Sequence, residues 1–122
     1  LSENVELISE MGGLQAARKK ALGQTGAEAK IEFMKQFKGI GDKYARNIWM
    51  DARHPYFRDK VALDQRIRGI TELLGREFSS YEAEEDFYLS VAEEAGLSGW
   101  ELDRLLYNFT EHFEASIREA TP

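Results

Sequence analysis

Apolar residues recur along this chain at three- and four-residue steps. Nowhere do Val, Ile and Thr alternate with polar residues over the length of a strand. The pattern predicts an all-α chain of about seven helices. Val5, Leu7 and Ile8 give a first short helix that Ser2 can cap and Gly12-Gly13 can end. Leu14 to Leu22 gives a second, with Arg18, Lys19 and Lys20 in its last turn, where cations suit the helix dipole. After the connector Gly23-Gln24-Thr25-Gly26, a third helix from Ala27 to near Phe37 carries Ile31, Phe33, Met34 and Phe37 on one stripe. Gly39-Ile40-Gly41 interrupts it. Asp42 opens the next helix, which runs to near Ala52 with Tyr44, Ala45, Ile48 and Trp49 as the expected inner face.

The second half follows the same logic. Pro55 disfavours helix at His54, so residues 53–58 read as a loop. Asp64 precedes a helix bearing Ile67, Ile70, Leu73 and Leu74, which Gly75 stops. Ser79 or Ser80 caps another, with Phe87, Tyr88, Val91 and Ala95 expected inward. Ser98 and Glu101 form a capping box for a last helix. Its stripe is Leu102, Leu105, Leu106, Phe109, Phe113 and Ile117, and it is expected to run unbroken.

Composition narrows the chemistry. The chain has 122 residues, 43% of them hydrophobic, which is ordinary for one folded domain. It has no cysteine, so disulfides, thiolate metal sites, iron–sulfur clusters and cysteine nucleophiles are excluded. No apolar run approaches the ~18 residues a membrane helix needs, and Leu1-Ser2-Glu3-Asn4 is not a signal peptide. The expectation is an intracellular protein with no membrane partner. His54 and His112 lack a second histidine at ligand spacing and do not read as zinc ligands. Trp49 and Trp100 read as core, and Glu82, Glu84, Glu85 and Asp86 as a solvated helix start.

Net charge is −6, but its distribution is uneven. Lys35 to Arg68 holds nine basic residues and four acidic ones, whereas Glu77 to Glu119 holds twelve acids and two arginines. The basic stretch contains Phe37-Lys38-Gly39-Ile40-Gly41-Asp42-Lys43. A tight turn between helices needs glycine for a positive φ and for an open backbone. Gly39 and Gly41 can supply these while Ile40 turns inward as an anchor. The amides at the start of the following helix lack intrahelical partners and, with the helix dipole, form an anion site. Lys43 and Arg46 stand in its first turns. Phe37-x-Gly39-Ile40-Gly41-x-Lys43-x-Ala45 therefore reads as a helix-hairpin-helix at about 27–52, gripping double-stranded DNA through its phosphates without reading sequence.

The stretch Phe37-Lys-Gly-Ile-Gly-Asp-Lys-Tyr-Ala-Arg-Asn-Ile48, then Val61-Ala-Leu-Asp-Gln-Arg-Ile67 and Leu74-Gly75, resembles the helix-hairpin-helix DNA glycosylase superfamily. That group includes endonuclease III-like and 8-oxoguanine glycosylases. Residues Glu85 to Val91 and Ala95 to Tyr107, with Leu102-Asp103 and Tyr107, look like the closing helices of the archaeal-type 8-oxoguanine glycosylase/lyases. The resemblance implies base-excision repair, with glycosylase and AP-lyase activity on damaged DNA, the substrate being an oxidised purine. It places Lys43 as the nucleophile that attacks the sugar C1′, and Asp64 as the carboxylate that stabilises positive charge on the sugar. It also implies a pocket for an extruded base, a wedge residue, and a monovalent cation held by the main-chain carbonyls of Lys35, Phe37 and Ile40. No other cofactor is implied.

The residues leave a second reading open. A lysine at position 43 also suits a non-catalytic hairpin module that only holds phosphate, and Asp64 also suits a plain helix cap. Superfamily members carry more chain ahead of the hairpin than the 36 residues here. The chain also lacks an initiator methionine. A fragment of a longer glycosylase, a partner chain or a compact form would each account for this.

Overall fold

Two apolar clusters divide the molecule, and an extended stretch at 61–63 runs between them. A computed structural model describes residues 3–120; Ser2, the expected first cap, lies outside these. The described residues form eight α-helices and one 3₁₀ turn, with no strand. In chain order they are α1 (Glu3–Glu10), α2 (Leu14–Leu22), α3 (Gly26–Lys35), α4 (Asp42–Asp51), the turn Pro55–Phe57, α5 (Gln65–Leu73), α6 (Tyr81–Ala95), α7 (Gly99–Asn108) and α8 (Thr110–Ala120).

The first cluster joins Ile31 of α3 to Ala45, Trp49 and Met50 of α4, with Phe57 and Ala62. The second joins Ile67 and Ile70 of α5 to Tyr88 and Ala92 of α6 and to Leu102 and Leu106 of α7, with Val61 and Leu63. Val61 and Leu63 thus turn one way and Ala62 the other. This is the period-2 alternation of extended backbone, here joining two helical layers rather than two strands.

Local signals set most of the boundaries. Ser80 accepts from the Ala83 N–H to start α6, and Gly96, at φ 73°, ends it. Ser98 and Glu101 form the expected reciprocal cap on α7. Lys30, 2% exposed, donates to the carbonyls of Leu22 (2.8 Å), Gln24 (2.7 Å) and Ala21 (3.5 Å), supplying the partners that the end of α2 lacks.

Three expectations require correction. The last helix is two: Phe109 leaves helical geometry at φ −124°, ψ 32°. Thr110 Oγ1 donates to the carbonyls of Leu106 (2.6 Å) and Tyr107 (3.1 Å), a local alternative to the helical ladder. α8 then packs on α5, with Phe113 and Ile117 against the second cluster. The buried face of α4 is Ala45, Arg46, Trp49 and Met50, while Tyr44 and Ile48 are 54% and 40% exposed. On α6, Glu84, Glu85, Tyr88 and Ala92 are inside, whereas Val91 and Ala95 are outside. In both helices a charged pair has displaced apolar residues from the inner face, because Arg46 and Glu85 meet there.

Candidate functional site

The turn between α3 and α4 forms from glycine chemistry at one position and open space at another. Gly39 takes φ +89°, a conformation L side chains rarely adopt. The Ile40 N–H closes the turn onto the Phe37 carbonyl at 3.1 Å, and Ile40 packs against the first cluster as expected. Gly41 differs: its backbone is extended at φ −101°, ψ −163°, and a Cβ built there would touch nothing within 4 Å. Nothing inside the fold requires glycine at 41. As the N-cap of α4 it offers no side chain to the first amides of that helix, so they remain available to an outside acceptor.

Lys43 and Asp64, twenty-one positions apart, line one cleft of about 300 Å³ with Gly41, Tyr44, Arg68 and Tyr81. The Lys43 ammonium rests 4.1 Å from the centre of the Tyr44 ring and makes no ion pair among the described residues. Its neighbours are engaged. Lys35 bonds Asp42 at 3.0 Å, and Arg68 lies 3.8 Å from Glu84. Burial would raise the Asp42 carboxyl, but Lys35 and Arg46 outweigh it and hold the group below its ordinary range. Asp64 caps α5, its Oδ1 accepting from the Ile67 N–H at 3.0 Å, and its other oxygen has no hydrogen-bond partner among the described residues.

Arg46, expected to meet phosphate, does not face it. It is fully buried, its Nε and Nη2 donating to the Glu85 carboxylate at 2.8 and 3.1 Å. A third contact runs from Nη1 to the Asp42 carbonyl at 3.1 Å. Burial alone would lower the Arg46 pKa, and the Glu85 carboxylate more than reverses that. The guanidinium is a structural cation.

What positions Asp64 is a set of buried acceptors that the sequence pattern did not reveal. Three consecutive amides of the extended stretch each meet a side chain from α6 or α7. Val61 N–H donates to Glu85 Oε2 (2.8 Å), Ala62 N–H to Asp103 Oδ2 (2.7 Å), and Leu63 N–H to the Tyr81 hydroxyl (2.7 Å). Tyr81 in turn donates to the Val61 carbonyl at 2.9 Å, and burial pushes its pKa up, so it keeps the proton this bond needs. Beside it, Thr71 bonds Glu84 (2.7 Å) and Tyr88 (2.6 Å). Glu84 and Glu85, read from sequence as solvated, are therefore internal. The signal that could have shown this is the neighbouring Tyr81 and Tyr88 on the same helix, which place positions 84 and 85 on the face between them.

The carbonyls of Lys35, Phe37 and Ile40 belong to residues that line a recess shared with Asn4, Glu3, Glu6 and Glu10 of α1. Asn4 bonds both backbone groups of Lys38, at 2.7 and 3.0 Å, fixing α1 over the turn. Of the three carbonyls, that of Phe37 already accepts from the Ile40 N–H at 3.1 Å. Among the described residues no cluster of three or more His, Asp or Glu side chains could hold a metal ion. His54 serves packing: its Nδ1 accepts from the Tyr56 N–H, and its ring meets Trp49, Tyr56 and Phe57. No helix among the described residues is long and apolar enough to cross a membrane.

No protein-family model, curated protein or solved structure matches the chain.

Proposed function

We propose that the chain acts in base-excision repair as a helix-hairpin-helix DNA glycosylase with AP-lyase activity on oxidised purine. The observation that carries this reading is the single cleft lined by Lys43 and Asp64, beside the uncapped start of α4. Among the described residues the amine has no ion pair and the second Asp64 oxygen no hydrogen bond. Phosphate would sit on the α4 amides, approached from the Lys43 side, since the acids of α1 line the other. The damaged nucleotide would leave the stack to enter the cleft, and the exposed Tyr44 ring beside Lys43 suits the role of wedge.

In this reading the neutral Lys43 amine attacks C1′, the bond from C1′ to the base breaks, and the base leaves with the electron pair and takes up a proton. The amine, cationic after attack, gives up one of its two protons. Its nitrogen lone pair then closes the C=N bond as the C1′–O4′ bond breaks, giving an iminium that keeps one N–H. The departing O4′ takes up a proton as the ring opens. Loss of a C2′ proton then expels the 3′ phosphate by β-elimination. Asp64 would stabilise the oxocarbenium-like centre, as a fixed anion can in a site shielded from water. A cation on the Lys35, Phe37 and Ile40 carbonyls would stiffen the turn and stay outside the chemistry.

A second reading keeps the DNA and drops the reaction. Asp64 is a complete helix cap, which explains an aspartate there without catalysis. Borohydride trapping on duplex DNA containing 8-oxoguanine separates the two. A covalent adduct that disappears in Lys43→Gln supports the enzyme. No adduct from the unaltered protein, with duplex binding intact, leaves the binding module.

A further inference from the structure

At the far end of α4, about 15 Å along the helix from its uncapped start, lies a second cleft that the reading above does not use. It has a volume of about 480 Å³, within the range of small-ligand sites, and opens between the end of α4 and the start of α7. Its floor is apolar, made by Met50 and Phe57, each 1% exposed. Four of its polar side chains, Arg53, His54, Arg58 and Trp100, offer donors, beside Ser98 and Glu101. Arg53 and Arg58 line it, and neither makes an ion pair among the described residues. Trp100 also lines it, and among the described residues its indole N–H has no acceptor, whereas the Trp49 indole bonds the Lys30 carbonyl at 3.2 Å. His54 completes the set. Its Nδ1 accepts from the Tyr56 N–H, which places the ring proton of the neutral imidazole on Nε2, a further donor with no partner among the described residues. The one acid in the lining, Glu101, accepts from the Ser98 N–H and, with the Arg58 charge nearby, is held below its ordinary range, so a phosphate would have to compete with it for Arg58.

Arg53 stands where its backbone is strained. Its N–H bonds the Met50 carbonyl and the His54 N–H bonds the Trp49 carbonyl, a closure that puts residue 53 at φ 55°. Among the described residues it is the one non-glycine at positive φ. The helix ends after α5 and α6 use Gly75 and Gly96 for the same conformation. Glycine would meet this conformation without strain; Arg53 adopts it with its guanidinium 5.7 Å from the centre of the Trp100 ring.

We propose that this cleft binds a nucleobase carrying a phosphate. The phosphate would bridge Arg53 and Arg58, whose planar donors match its oxygens. The base would stack on Trp100 over the Met50 and Phe57 floor, with the Trp100 and His54 N–H groups meeting its acceptors. The ligand is either a free nucleoside monophosphate or the 5′-phosphorylated end of a single strand, which present the same chemistry. The inference does not depend on the glycosylase reading.

The test is a titration of the ¹⁵N-labelled protein, reading the Trp100 indole signal, with AMP, with a 5′-phosphorylated dinucleotide, with the same dinucleotide unphosphorylated, and with inorganic phosphate. Saturable shifts with AMP or the phosphorylated dinucleotide are expected, and the tighter of the two identifies the source. Arg53→Gly suits the φ 55° backbone, so it should raise thermal stability while weakening binding about tenfold. Lys43→Gln should leave binding unchanged. Three results would overturn the proposal: no saturable shift up to about 10 mM ligand, equal affinity for inorganic phosphate and AMP, or undiminished binding in Arg53→Gly and Arg58→Gln alike.

Discussion

Glu85 of α6 holds Arg46 of α4 through two hydrogen bonds, at 2.8 and 3.1 Å, with both side chains almost wholly buried. The same carboxylate accepts from the Val61 N–H, so one residue ties α4, α6 and the extended stretch together. Removing one partner leaves a buried charge with only its longer ion pair, to Asp42 at 3.4 Å for Arg46 or to Lys60 at 3.9 Å for Glu85. Glu85→Gln is expected to cost about 3–5 kcal/mol of stability in urea unfolding, and Arg46→Met a similar amount. The double variant Arg46→Met/Glu85→Gln should lose clearly less than the sum, with a coupling above about 1 kcal/mol. Additive losses would show that the pair does not act as a unit.

The two glycines of the α3–α4 turn are expected to separate stability from binding. Gly39→Ala forces a side chain to φ +89° and should cost about 1–2 kcal/mol. Gly41→Ala meets neither strain nor a neighbour, so its stability should stay within about 0.5 kcal/mol of the parent. Its methyl would stand before the open amides of α4 and should weaken duplex DNA binding about tenfold, or ~1.4 kcal/mol, by fluorescence anisotropy at fixed salt. Unchanged DNA affinity in a folded Gly41→Ala protein would remove the turn from the interface.

Helix starts and stops were legible because they depend on neighbours in sequence. Asp64, Ser80, Ser98 with Glu101, Gly75 and Gly96 act within four residues of themselves, and each occupies the end expected of it. The juxtaposition of Lys43 and Asp64 in one cleft was legible only through spacing and resemblance. The supporting shell was not legible. Arg46 looks like a surface cation and Glu85 like a solvated acid until α4 and α6 are packed, since burial of either is tolerable only with the other. Apolar periodicity cannot register a pair that meets across thirty-nine positions. The break at Phe109 was hidden for a related reason: the apolar stripe continues through it, and only the Thr110 hydroxyl marks the turn.

Lys30 offers a test of how the end of α2 is held. Its ammonium serves three carbonyls and lies 5.3 Å from the centre of the Trp49 ring. Lys30→Met keeps the apolar stem and removes the donors, leaving those carbonyls short of partners. A loss of about 2–4 kcal/mol is expected in denaturant unfolding. A change below about 0.5 kcal/mol would mean that water replaces the ammonium without penalty.

Asp103 gives the pH dependence its sign. It is 3% exposed, and burial pushes its carboxyl from 3.8 up to about 6, although the Ala62 N–H favours the anion. A carboxyl raised by folding contributes its stability in full below the unfolded value, near 3.8, and loses it as pH rises through about 6. The full span corresponds to about 3 kcal/mol. Asp103→Asn keeps an acceptor for Ala62 and cannot ionise. Subtracting wild-type from variant stability cancels the groups common to both, including Asp42 and Glu28, which folding holds low and which act with the opposite sign. The variant should therefore gain on the wild type steadily between about pH 4 and pH 7, by up to ~3 kcal/mol. A difference that stays flat across that window would show Asp103 ionising in the fold as readily as in the unfolded chain. A difference that shrinks as pH rises would show its anion to be the form that holds Ala62, and with it the approach of the chain to Asp64.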